Sequence, residues 1–163
     1  MNIQSGLARF AKSHKSFRQA LEAMLVKEAL TIPIEGVWTA KDIMGHLTAW
    51  EKLFLQPLQS LAAGGVFIPE IIIDHDDFNM RQSASRQTMS VDELIIESDA
   101  VRADILKTIS MLTEIQCQQI YPAPWGGQES LIHQLDGLRW HADEHAKSLQ
   151  RWMSQLTESK SSG

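Results

Sequence analysis

His141 and His145 stand four residues apart in Trp140-His141-Ala142-Asp143-Glu144-His145, and no other spacing in the chain carries a stronger chemical signal. On a helix, four residues rotate by only about 40°, so both imidazoles share one face, a turn apart, where they can close on one metal ion. The same segment has an apolar seam of Leu131, Leu135, Leu138, Ala142, His145, Leu149, Trp152 and Leu156. His145 therefore takes a core position, and a buried imidazole needs a partner, either an ion or a hydrogen-bonding group. His46 borders a second stripe, Ile43, Leu47, Trp50, Phe54, Leu58 and Leu61. It reads either as a core-edge histidine bonded to a carbonyl or as the third nitrogen of an interior site with open positions for water or substrate. If the two helices run parallel, His46 and His141 differ in depth by only about 6 Å.

Other chemistry is thinner. His14 falls on an apolar stripe of the first helix and reads as a packed core histidine, with a ligand role in reserve. His133 lies two turns before His141, too far to share an ion, and His75 sits among Asp74, Asp76 and Asp77, where a solvated helix start is expected. His141 to His145 also spells H-x-x-E-H, the pattern of a zinc peptidase with Glu144 as base. That reading fails, because Glu144 is rotated about 100° from His145, toward solvent, and only 18 residues follow His145 to supply a further ligand. Asp42, one turn before His46, caps a helix or orients that imidazole. Cys117 has no neighbour that would activate it, and Gly64-Gly65 and Gly126-Gly127 read as turns without phosphate-loop spacing.

Composition narrows the classes. The 163 residues, 44% hydrophobic and 21% charged, describe one folded domain rather than a disordered chain. A net charge of -5 without a Lys/Arg run argues against a nucleic-acid partner. A single cysteine excludes an internal disulfide framework and points to a reducing, cytoplasmic compartment. The apolar run Val66 to Ile73 is broken by Pro69 and Glu70 and falls far short of the roughly 20 residues of a membrane span.

Four long helices must position the histidines. The first is predicted from Ser5 to Ala29, closed by Thr31-Ile32-Pro33. The second opens at a capping box, Thr39 with Asp42, flanked by Trp38 and Ile43, and ends at Gly64-Gly65, with a kink or broken turn expected at Pro57. Ser90-Val91-Asp92-Glu93 opens the third, whose stripe is Leu94, Ser98, Val101, Ile105, Ile109 and Leu112. The fourth runs from Ser130 to Leu156. Residues 66–89 read as a long crossover with a short helix around Phe78, and convincing strand alternation is absent. The expected fold is all-α, a four-helix bundle with a long crossover between the second and third long helices. It should occupy residues 1–157 as one domain, with 158–163 as a flexible tail.

The segment Trp38-Thr39-Ala40-Lys41-Asp42-Ile43-Met44-Gly45-His46-Leu47-Thr48-Ala49-Trp50-Glu51 resembles the W-x-x-x-D-x-x-x-H-L-x-x-W-E signature of the DinB/YfiT-like superfamily. Trp140 to His145, followed by Leu149 and Trp152, resembles its closing H-x-x-x-H helix, and Phe78-Asn79 with the Ser90 helix start resembles the ClbS/DfsB-like branch. The resemblance implies a bundle, often dimeric, in which His46, His141 and His145 hold a divalent metal such as nickel or zinc. It also implies a hydrolase or a thiol-dependent transferase acting on reactive small molecules in detoxification or stress. The alternative is a non-enzymatic module that sequesters an apolar ligand without metal, in a pocket expected to be lined by Trp38, Trp50 and Trp140.

Overall fold

The computed structural model describes residues 2–26 and 29–162. Its frame is four long helices, α1 (Ile3–Val26), α2 (Ala40–Ala62), α4 (Val91–Ser110) and α6 (Leu131–Ser161), with two shorter ones, α3 (His75–Ser85) and α5 (Glu114–Gln118). α1 packs chiefly against α6, and α2 against α4. The expected all-α bundle is thus present, with its crossover between α2 and α4 carrying α3.

The helix starts follow from their caps. Thr39 accepts from Asp42 N while Asp42 accepts from Thr39 N, and Ser90 with Glu93 repeats the arrangement at α4. Asp74 caps α3 through the amide of Asp77. Two boundaries and one helix interior differ from expectation. The predicted end of the first helix runs through residues 27 and 28, which lie outside the described residues; Ala29 is already non-helical and buried. α2 passes through Pro57 without interruption, so no broken turn forms there. Pro57 is buried on the core side of α2, and its burial offsets the backbone hydrogen bond a proline removes. α6 continues to Ser161, beyond Leu156, where its apolar seam ends.

Two short antiparallel hairpins join the helices. β1 (Pro33–Glu35) pairs with β2 (Trp38–Thr39), and β3 (Ile120–Pro122) pairs with β4 (Gln128–Ser130). Strands of two or three residues are too short to show a period, which is why alternation gave no sign of them. The second hairpin turns on Gly126 and Gly127, both left-handed (φ +97° and +82°), which would strain any other residue.

The buried side chains form two apolar clusters. One gathers Phe10, Trp50, Phe54, Ile105, Leu131 and Leu138; the other gathers Phe17, Leu21, Ile43, Leu47, Leu94, Ala142 and Leu149. On α2 the changeover falls between Leu47 and Ala49, and on α6 between Leu138 and Ala142. His141 lies within the second interval, and His46 stands one residue before the first. A polar layer crosses the bundle there, and it includes the buried pair Glu51 and Arg102.

Candidate metal centre

Folding brings His46, His141 and His145 together, with one ligand atom from each lying within 4.8 Å of the others. His46 Nε2 is 2.8 Å from His141 Nε2, across 95 residues of sequence, and His145 Nε2 is 3.2 Å from the same atom. His46 meets the other two rings edge to face at 4.7 and 5.3 Å. Trp38 lies over His46 at 4.7 Å.

The outer nitrogens fix the protons. The indole N–H of Trp50 donates to Asn79 Oδ1 at 3.0 Å, and an indole can only donate, so the facing atom is the amide oxygen. The same oxygen lies 3.1 Å from His46 Nδ1, which therefore carries the imidazole proton. His145 Nδ1 donates to Glu35 Oε1 at 3.0 Å, because a carboxylate only accepts. His46 and His145 thus both turn a bare Nε2 lone pair inward. His141 Nε2 can supply one proton to one of them. The cluster is one hydrogen bond short, and a divalent cation held by the three imidazoles would satisfy them. The donor set fits zinc or nickel, since neutral imidazole suits both.

Electrostatics keep His46 and His141 neutral. Burial, with His141 and His145 adding to it, lowers the His46 pKa to about 3. Burial, then His145 and the Arg102 guanidinium, lowers that of His141 to about 4. Glu51 is pushed up by burial and drawn back by Arg102, whose Nε donates to Glu51 Oε2 at 3.0 Å.

The remaining sequence candidates separate from this cluster. Asp42 serves as a cap and accepts from Ser83 Oγ; the residue that orients His46 is Asn79. His14 is not a core residue. The stripe runs through Ser13, whose hydroxyl bonds Phe10 O, while His14 pairs with Asp99 at the bundle edge. His133 is exposed, and His75 opens α3 with its ring 5.0 Å from Trp50. Glu144 pairs with Lys147, away from the triad. Two contributors went unread: Glu35, which had no motif to mark it, and Asn79, whose only signal was its place after Phe78.

Asn79→Leu keeps the volume and removes the acceptor, leaving the His46 tautomer unfixed. Zinc affinity, measured by competition with a chelating dye, should fall about 10- to 100-fold while far-UV circular dichroism stays unchanged.

A helical bundle with an interior three-histidine cluster defines the class. The DinB superfamily profile matches residues 9–149, and the chain belongs to that superfamily. An uncharacterised protein from Escherichia coli UTI89 has the same fold, with a TM-score of 0.72 at 14% identity, over 96% of this chain and 95% of that one. A protein from Streptococcus pneumoniae also superposes at a TM-score of 0.72, with 11% identity over 94% of this chain and 91% of that one. No curated protein matches the sequence.

Proposed function

We propose that this protein is a divalent-metal-dependent hydrolase acting on a small, neutral, reactive molecule, with nickel or zinc held by His46, His141 and His145. The observation that carries the reading is the missing proton among the three inward Nε2 atoms. Three imidazole ligands would leave a bound ion its full charge, and such an ion would supply Lewis acidity for activating water. Asn79 and Glu35 hold the outer protons at Nδ1 and keep each ring aimed inward. The cavity beside the cluster, about 430 Å³, has no lysine, arginine, aspartate or glutamate in its wall. That favours water over a charged low-molecular-weight thiol as the co-substrate, since such a thiol needs an ionic partner. A role in detoxification or stress, a cytoplasmic location and a homodimeric state belong to the same proposal; the buried, high-pKa thiol of Cys117 suits a reducing compartment.

Protein purified without a histidine tag should contain close to one equivalent of nickel or zinc by elemental analysis. The loaded form should hydrolyse members of a panel of aryl esters, lactones and strained rings that the chelated form leaves intact. A metal-free protein that still binds apolar ligands would instead establish the sequestering module.

A further inference from the structure

The cavity next to the histidines is walled by three indoles, Trp50, Trp125 and Trp140, together with Leu138. Trp38, expected there, lies instead against His46 and borders a different cavity. Each of the three is held differently. Trp50 is nearly buried and tethered to Asn79 through its N–H. Trp125 is carried on the glycine turn of the second hairpin, which is closed by Gly126 N donating to Ala123 O at 2.9 Å. Trp140 is 58% exposed at the rim, an unusual amount of indole to leave in water.

Gly137, one turn before His141 on α6, forms part of the same wall. Glycine inside a helix costs roughly 1 kcal/mol against alanine. No close backbone approach requires it here: a Cβ would meet only Trp125 Cζ2, at an ordinary 3.6 Å. What the missing side chain leaves is open space in the cavity, directly beside the ligand pair. The lining side chains are Trp, His, Leu and Asn, with His75 beside Trp50 and no lysine, arginine or carboxylate, so the wall offers indole faces rather than ion pairs.

We infer that this cavity binds a neutral, flat aromatic group of the ligand, stacked among Trp50, Trp125 and Trp140 over Gly137, with the ligand's polar end at the histidines. The inference rests on the hydrolase reading only for what that polar end does. Stacking on indoles contributes beyond area burial, and a cavity of this size accepts a one- or two-ring group.

Calorimetry on the metal-free full chain tests it, with naphthalene-2-carboxamide compared with cyclohexanecarboxamide. The naphthyl amide should bind at least tenfold more tightly. Gly137→Leu should weaken it at least tenfold without lowering the melting temperature, since leucine is the better helix former. Trp140→Ala, at an exposed position, should weaken it severalfold in a protein of unchanged helicity. Equal affinity for the two amides, or undiminished naphthyl binding in Gly137→Leu, overturns the inference. So does tighter binding of a naphthyl trimethylammonium probe, which would make the indoles a cation cage. Because this titration contains no metal, its failure is separate from that of the metal centre, which is read by the zinc-dependent melting shift of the same variants.

Discussion

His46→Ala should abolish most of the metal-dependent rise in melting temperature while leaving the metal-free fold intact. At a hundredfold excess of zinc or nickel over the dissociation constant, native-state binding stabilises by about 2.7 kcal/mol. For a chain of this size that is about 5–10 °C in a thermal scan. His141 and His145 are local neighbours and would grip an ion weakly in the unfolded chain as well, so they should contribute less to the difference between states. His46 joins them only in the native bundle. His14→Gln, at a residue paired with Asp99 outside the cluster, should keep the full shift. A His46→Ala protein with the wild-type shift would refute the three-histidine centre. The pH dependence follows from the lowered pKa values. An ordinary imidazole stops ligating near pH 6, but His46 and His141 stay neutral in the folded protein to well below that. The unfolded chain takes up those protons first. The metal-free protein should therefore be fully stabilised above about pH 7.5, lose about 3 kcal/mol per pH unit between about pH 6 and 4, and lose about half that from pH 4 to 3, where only His46 still differs between the states.

Arg102→Met should destabilise the protein by about 3–5 kcal/mol, because Glu51 is then left unpaired in the core and must keep a buried charge or take up a proton. Both side chains are nearly inaccessible, at 3% and 1% exposure, and the guanidinium also lies over the Phe10 ring at 4.7 Å. The double variant Glu51→Leu with Arg102→Met should recover most of that loss, since two apolar residues of similar volume need no partner. Urea denaturation of the two variants measures the difference. A single variant as stable as wild type would show that the pair is not electrostatically coupled.

The helix frame was readable because its signals are local. The capping boxes at Thr39 and Ser90, the apolar stripes of α2, α4 and α6, and the H-x-x-x-H pair each lie within a few turns of chain. The stripe of α1 was read one residue off, through His14 instead of Ser13. With 3.6 residues per turn, both positions fall near the line from Phe10 to Phe17, and only packing against α6 decides between them. Glu35 and Asn79 lay beyond any such reading, as did the pairing of Glu51 with Arg102. Their partners are 110, 33 and 51 residues away, and nothing in the local pattern marks a side chain that bonds across the bundle.

The same separations govern when the centre comes into being. As the chain is synthesised, α2 and α3 can form and place Asn79 beside His46, but the other two imidazoles arrive only with α6. Glu35 then waits on the first hairpin for His145 to dock. Contacts this distant form late, after the loop-closure entropy of the whole bundle has been met. A nascent or truncated chain lacking α6 presents one isolated inward imidazole to the metal pool. An ion held by all three imidazoles would thus mark completed topology, joining the bundle after it closes rather than serving as its nucleus.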